Sequence, residues 1–122
     1  MIYPETKLNI ADNSGAKLAK CIKVLNFSKR KGAKPGSLIV VSIKKAKTSK
    51  TVTKGSVCRG VLVRAKKLQQ RNTGLSIKFS NNSLILVDQK NIPIASRIIG
   101  PIYKELRNKN YPKLVMLAKT II

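Results

Sequence analysis

The chain has few acidic residues, no histidine and few aromatic rings. Against 26 lysines and arginines it has four aspartates and glutamates, no histidine and no tryptophan. Zinc sites use histidine and closely spaced cysteines, and Cys21 and Cys58 form no C-x-x-C pair. Catalysis by paired carboxylates or by a nucleophile and its base also lacks the residues it needs, and the glycines match no phosphate-binding motif. We therefore expect no enzyme activity, no metal site and no cofactor.

Long hydrophobic runs are absent as well. No segment approaches the roughly 18 consecutive apolar residues of a membrane span, and no secretory signal precedes the first predicted strand. Disulfides form mainly in secreted proteins. We therefore expect Cys21 and Cys58 to be free, buried thiols.

Positive charge dominates what is present. The formal net charge is +22 over 122 residues, and a compact domain with that much unbalanced charge repels itself unless a polyanion neutralises it. A nucleic acid is the partner that this charge favours; a merely solvated basic surface and an anionic membrane surface are the alternatives. Base stacking is expected to be minor and recognition of RNA shape and backbone major, because the chain has only five aromatic residues: Tyr3, Phe27, Phe79, Tyr103 and Tyr111.

The segment Val57–Lys67 is predicted to be the central strand of the fold. It is apolar on both sides of a period-two pattern, with Val61 and Val63 on one face and Leu62 on the other. Such a short β-branched run is typical of a strand buried on both faces. Gly60, in its middle, indicates a bend or a close approach of another backbone.

Other short strands and two C-terminal helices follow from the same patterns. We predict a bulge in the second strand, where the lysine spacing breaks strict alternation. The helices are predicted near Pro101 and Pro112, because proline suits a first-turn position. The pattern predicts one mainly β domain over 1–122, a closed barrel over about 1–96 with a helical cap over about 97–122. The predicted strands are Lys7–Ala11, Ala16–Asn26, Ser37–Lys47, Leu75–Phe79 and Leu84–Val87, with turns at Asp12–Gly15 and Gln69–Gly74 and helices near Pro101 and Pro112.

Four separated motifs carry a family resemblance. They are I-A-D-N-S-G-A-K at Ile10–Lys17, C-I-K-V-L at Cys21–Leu25, G-V-L-V-R-A-K-K at Gly60–Lys67 and R-I-I-G-P-I-Y-K-E-L-R at Arg97–Arg107. In this order and spacing the chain resembles the universal L-fourteen family of large-subunit ribosomal proteins. The resemblance implies a five-stranded barrel that binds large-subunit rRNA, packs against neighbouring ribosomal proteins and forms bridges to small-subunit rRNA. A free single-stranded-RNA-binding factor of the small-barrel type is the alternative, and it predicts aromatic residues clustered on one sheet face.

The candidate rRNA-binding residues are cations at strand ends and in basic loops. Lysines neutralise phosphates and release counterions, whereas arginines are better suited to oriented contacts, since a guanidinium bridges phosphate oxygens bidentately. The set is Lys17, Lys20, Lys23, Lys29, Arg30, Lys31, Lys34, Lys44, Lys45, Lys47, Arg59, Arg64, Lys66, Lys67, Arg71 and Lys78.

A second candidate surface faces the small subunit. In the family a ribosome-silencing factor docks there, and the resemblance places this docking surface at Ser96, Arg97 and Lys113, to which we add Arg107. Met116 stands where the family has a small polar residue. Two alternatives stay open: Arg97 pairs with Glu105 instead, and the turn Asp12–Gly15 is purely structural.

Heavy use of isoleucine, lysine and asparagine is typical of A+T-rich codons. Together with the divergent basic loops, where Ser37 and Lys45 replace acids common in the family, it predicts an organelle-encoded protein of the mitochondrial ribosome. A plastid or the cytoplasm of an A+T-rich bacterium is the alternative.

Overall fold

Five strands close into a barrel in the computed structural model, which describes residues 2–25, 32–47, 52–109 and 111–122. The barrel order is β1-β2-β3-β4-β7; β1 and β7 pair in parallel and the other neighbours are antiparallel. The strands are β1 Lys7–Ile10, β2 Ala16–Val24, β3 Leu38–Ala46, β4 Val57–Arg64, β5 Gln69–Gln70, β6 Ser76–Ile77 and β7 Ser83–Val87. A 3₁₀ helix, Lys104–Lys109, and one α-helix, α1 Pro112–Leu117, follow. The predicted fold class is confirmed.

The central strand β4 is buried on both faces, as predicted. Leu62 points into the barrel, whereas Val61 and Val63 point outward beneath the C-terminal segment. Burying a Leu, Ile or Val side chain stabilises a fold by about 1.5–3 kcal/mol, so both sides of β4 contribute. Large members of the inner cluster are Leu8, Ile39, Ile43, Leu62, Leu84 and Leu86. Members of the outer cluster include Val61, Val63, Ile85, Ile102, Leu106 and Leu114.

β4 and β7 lie close together at Gly60. A Cβ atom at this position would lie 2.7 Å from Leu84 Cδ1 and 3.2 Å from the Ile85 carbonyl oxygen. Real Cβ atoms essentially never come as close as the first distance. The close approach predicted from the sequence is therefore confirmed.

The predicted irregularity of β2 is also confirmed. Its register against β3 shifts between Ala16 and Leu18, between Leu18 and Ala19, and between Cys21 and Lys23. A bulge adds a residue on one strand and re-aims the side chains around it. This lets β2 keep all its lysines out of the core although they do not alternate.

The strands β1, β2, β3 and β7 begin and end within two residues of the prediction, and three predicted elements between 57 and 79 differ more. β4 ends at Arg64, before the predicted end at Lys67, and the lysines that follow are exposed. The turn predicted at Gln69–Gly74 is wrong in its first two residues, since β5 pairs with β6 and only 71–74 turn. The predicted strand Leu75–Phe79 is shortened to Ser76–Ile77, because only these two residues pair with β5.

The first helix begins later than predicted. Ile102 pairs in an extended conformation with the end of the chain: its amide donates to Thr120 O at 3.2 Å, and the Ile122 amide donates to its carbonyl at 2.9 Å. Pro101 therefore lies before the 3₁₀ helix. The second helix does begin at Pro112, and its buried residues are Leu114 and Val115.

The thiols are free, with Cys21 buried and Cys58 half-buried. Burial raises the pKa of the Cys21 thiol, because a thiolate is poorly solvated there. Among the described residues, neither helix has the length and apolar character needed to cross a membrane.

Candidate nucleic-acid interface

Exposed lysines gather where β2 begins and β3 ends. Ala16 pairs with Ala46, and the Lys47 amide donates to the Gly15 carbonyl at 2.8 Å. This pairing brings together three lysines that are far apart in sequence: Lys17, Lys45 and Lys47. All three are exposed, and within the described part of the chain none of their ammonium groups has a hydrogen-bond or ion-pair partner.

Other lysines of β2 and β3 differ in how free they are. Lys23 and Lys44 are exposed. Lys20 is half-buried, and its Nζ lies 2.5 Å from Glu5 Oε2. The Lys20 ammonium, by hydrogen bond and by charge, lowers the pKa of the Glu5 carboxyl, with a smaller contribution from Lys44. Glu5 thus offsets part of the positive charge at Lys20.

A second group of lysines surrounds the base of the small β5–β6 hairpin. The Phe79 amide donates to the Ala65 carbonyl at 3.1 Å, which places Lys78 beside the chain leaving β4. Lys66 and Lys67 follow β4 directly, and all three lysines are exposed. The group therefore forms a second cluster of exposed cations, at the end of β4 and the base of the hairpin.

The Arg71 guanidinium is bound by other residues of the protein. Its guanidinium binds both carboxylate oxygens of Glu105, with Nη2 donating to Oε2 at 3.2 Å, and it also donates to the main-chain oxygen of Ile122. The Arg71 side chain is only 16 % exposed. These contacts hold the β5–β6 hairpin to the C-terminal segment.

Arg64 ties the end of β4 to the loop before the helices. Its Nη2 donates to the Ile99 carbonyl at 2.5 Å. Gly100, with φ at 87°, lies so close that a Cβ there would be 2.7 Å from Arg64 Nη1. Burial lowers the pKa of the Arg64 guanidinium. The Arg59 guanidinium also binds a main-chain oxygen, since its Nη1 donates to the Gln89 carbonyl at 3.4 Å.

The turn Asp12–Gly15 has a structural role. Asp12 is 5 % exposed; its Oδ1 accepts from the amide and hydroxyl of Ser14, and its Oδ2 accepts from the Leu86 amide at 3.0 Å. Gly15 has φ at 98°, a left-handed conformation that favours glycine. The carboxylate thus joins the turn to β7, and the structural interpretation of this turn is the one that the contacts support.

Each of the four acidic residues is engaged in this way. Besides Asp12, Asp88 Oδ1 accepts two backbone amides of its own turn at 2.9 Å, Glu5 pairs with Lys20, and Glu105 pairs with Arg71. The acids that remain in this basic chain therefore support the fold, or offset a neighbouring lysine, and leave the other lysines uncompensated.

The candidate surface facing the small subunit contains four exposed residues: Ser96, Arg97, Arg107 and Lys113. Asn13 anchors its first part, donating from Nδ2 to Ser96 Oγ and accepting from the Arg97 amide, both at 3.1 Å. Glu105 binds Arg71 and not Arg97. The alternative in which Arg97 pairs with Glu105 is therefore wrong.

Two surface depressions lie beside these cations. One, of about 470 Å³, is lined by Asn9, Lys17, Lys47 and Ile99 among others. Asn9 and Ile99 are not among the site residues predicted from the sequence. A polar residue between the apolar Leu8 and Ile10 is the signal that could have placed Asn9 on the outer face of β1, but no spacing relates it to Ile99. The other, of about 210 Å³, lies between the hairpin and the 3₁₀ helix, where Lys34 and Lys109 meet Arg71.

Three predicted rRNA-binding residues, Lys29, Arg30 and Lys31, lie outside the described residues. Within the described ranges, no group of three or more cysteine, aspartate and glutamate side chains comes together as a metal site would require. None of the barrel strands contains an aromatic residue. Phe79 packs edge-on against Tyr103 at 4.8 Å between ring centroids, and Tyr103 is buried.

A family model described as "Ribosomal protein L14p/L23e" matches residues 1–122. The match spans all the strands, both helices and the four sequence motifs. It confirms the resemblance drawn from those motifs.

Proposed function

We propose that this chain, which belongs to the ribosomal protein L14p/L23e family, binds large-subunit rRNA through the exposed lysines at the ends of its barrel strands. The family consists of structural ribosomal proteins and not of enzymes. The chain is accordingly a structural constituent of the large ribosomal subunit, with rRNA and neighbouring ribosomal proteins as the partners that the family implies.

The observation that carries the proposal is that the negative side chains have partners within the protein, whereas most of the exposed lysines have none among the described residues. The four carboxylates are engaged within the fold, whereas Lys17, Lys45 and Lys47 lie where β2 begins and β3 ends, and their ammonium groups have no partner among the described residues. Lysines without a partner on the barrel surface favour binding to RNA phosphates, because each phosphate that a lysine neutralises releases a counterion. The same argument applies to Lys66, Lys67 and Lys78 at the base of the hairpin.

The alternative of a free single-stranded-RNA-binding factor gains no support. It requires aromatic residues exposed together on a sheet face, on which bases stack. The barrel strands carry none, and the described aromatic pair, Phe79 and Tyr103, packs within the protein.

We further propose that Arg97, with Ser96, Arg107 and Lys113, contributes to the face that meets the small subunit, to its bridges with small-subunit rRNA and to docking of a ribosome-silencing factor. All four residues are exposed, and Asn13 fixes the start of this surface. For location we propose the mitochondrial ribosome, because the heavy use of isoleucine, lysine and asparagine is typical of A+T-rich codons. A plastid or a bacterium is the alternative.

The test is sedimentation of ribosomes from purified mitochondria at low and high magnesium, with quantitative mass spectrometry across the gradient. We expect the protein in large subunits and whole ribosomes after washing in moderate salt. Recovery at the top of the gradient, or release by mild salt, would contradict the proposal.

The same gradients test the intersubunit surface. Arg97→Glu reverses an exposed charge, so we expect fewer joined ribosomes but an unchanged amount of protein in large subunits. Lys90→Glu, the same charge change at an exposed residue outside both surfaces, is the matched control. Equal loss of assembly and joining in Arg97→Glu would remove Arg97 from the intersubunit face.

A further inference from the structure

The depression beside Lys17 brings together parts of the chain that no sequence spacing relates. Lys17 lies at the start of β2, Lys47 directly after β3, Asn9 on β1 and Ile99 in the loop before the helices. Two backbone hydrogen bonds hold its sides: the Lys47 amide donates to Gly15 O at 2.8 Å and the Ile99 amide to Ala11 O at 2.7 Å. We call this depression the Asn9 groove; its volume is about 470 Å³.

The Asn9 groove has a net positive lining. Lys17 and Lys47 are exposed, and their ammonium groups have no partner within the described ranges. The one carboxylate in the lining, Asp12, is 5 % exposed and accepts hydrogen bonds from Ser14 and Leu86. The groove therefore favours an anion flanked by two ammonium groups.

Two further features of the lining are not needed for phosphate alone. The side-chain amide of Asn9 is exposed and makes no hydrogen bond to the described residues, whereas the amide of Asn13 is occupied by Ser96 and Arg97. Ile99 is 62 % exposed, an apolar surface beside two lysines. A ligand that uses all of these features has a planar polar edge, an apolar face and flanking negative charges.

We propose that the Asn9 groove binds an unpaired nucleotide of single-stranded RNA. A free amide offers one donor and one acceptor in a plane, which matches the edge of a base. In an RNA duplex the Watson–Crick edges are paired and the major groove is too narrow for a side chain to read, whereas an unpaired base is splayed out and read at its edge. In this arrangement Asn9 contacts the base edge, Ile99 covers the base or ribose, and Lys17 and Lys47 bind the flanking phosphates.

This inference rests on the proposed rRNA binding but goes further, since it assigns one groove to one kind of RNA element. An acidic peptide is the competing occupant. It satisfies the two lysines, and its backbone amide can pair with Asn9, but acidic side chains leave Ile99 without an apolar cover. The nucleotide accounts for all four side chains.

The experiment is a titration of the full chain, followed by amide NMR shifts, with short oligoadenylate, oligouridylate, a blunt RNA duplex and oligoglutamate. We expect the single strands, but not the duplex or the peptide, to shift the Asn9 side-chain amide and the Ile99 backbone. We expect Asn9→Ala to weaken binding of the preferred oligonucleotide about three- to tenfold, the usual cost of one hydrogen bond. The salt dependence should be unchanged.

Asn72→Ala, which removes an exposed amide on the hairpin, is the matched control and is expected to leave binding unchanged. Lys17→Gln should instead lower the slope of log affinity against log salt by about 0.7, the value for one phosphate of a single strand.

Equal shifts with the duplex would reduce the groove to a phosphate surface, and equal shifts with oligoglutamate would assign it to an acidic peptide. Either result, or no shift at these residues, overturns the inference. The ribosomal role is judged separately by sedimentation, so a protein that sediments with large subunits but fails this titration loses only the groove assignment.

Discussion

The lysines at the start of β2 and the arginines around β4 and β5 carry the same charge but occupy different environments. Lys17 and Lys47 extend from the barrel without partners among the described residues. Arg64 and Arg71 instead bind carbonyl oxygens and a carboxylate of the protein. The planar guanidinium has several donors in a fixed arrangement, which suits it to joining two chain segments. Similar charge in a sequence therefore does not imply similar availability to RNA.

Among the predicted rRNA contacts, the exposed lysines are now favoured over Arg59, Arg64 and Arg71. Arginines are the predicted oriented contacts because a guanidinium bridges phosphate oxygens bidentately, but Arg64 and Arg71 use their donors within the protein. Arg97 differs, since it is exposed and its guanidinium binds no described residue. The assignments of Arg59, Arg64 and Arg71 to rRNA stay predictions, and three measurements can separate the two roles.

Arg71→Ala is expected to have the largest effect on stability. It leaves Glu105 without its partner and releases the hairpin from Ile122, which should lower the free energy of unfolding by about 1–2 kcal/mol, since Glu105 is 40 % exposed and partly screened by water. Chemical denaturation measures the loss. Lys67→Ala, an exposed control, should cost less than about 0.5 kcal/mol. Equal losses in the two variants would show that Arg71 is no more than a surface charge.

Arg64→Ala is expected to have an intermediate effect. Loss of the hydrogen bond to Ile99 O should cost about 1 kcal/mol of unfolding free energy, while the salt dependence of rRNA binding changes little. Arg64→Lys keeps the charge but lacks the fork, so it should lose stability as well. If Arg64→Ala keeps full stability and its salt slope falls by about 0.7–0.9, the value for one phosphate, Arg64 is an rRNA contact as the sequence predicted.

Replacing Lys66, Lys67 and Lys78 together by glutamine should have the smallest effect on stability and the largest on rRNA binding. The three ammonium groups have no partner to lose among the described residues, and less positive charge reduces self-repulsion. We expect each phosphate contact removed to lower the salt slope by about 0.7–0.9, measured by filter binding to large-subunit rRNA. A destabilised protein with an unchanged slope would contradict the division between lysines and arginines.

Local patterns in the sequence were enough to predict most of the fold. The two-sided apolar run at Val61 to Val63 indicated a central strand, Gly60 indicated close contact, and Pro112 marked the start of α1; all three are confirmed. The boundaries around Gln69 and Pro101 were wrong. Each depends on backbone pairing that the local pattern does not show: Gln69 pairs with β6 across a short turn, and the segment after Pro101 pairs with the distant residues 120–122.

By itself the sequence determined the fold class and the family, and its net charge predicted a polyanionic partner. Alternation and glycine positions are local signals, and net charge is a sum over the chain. Each can therefore be read from the sequence without knowing which residues are neighbours in space. Only the tertiary structure decided which cations are free, because that depends on which carbonyl or carboxylate lies within reach of each guanidinium. Closure of the barrel likewise placed Asn9, Lys17, Lys47 and Ile99 around one groove, a juxtaposition of four chain segments that no periodicity encodes.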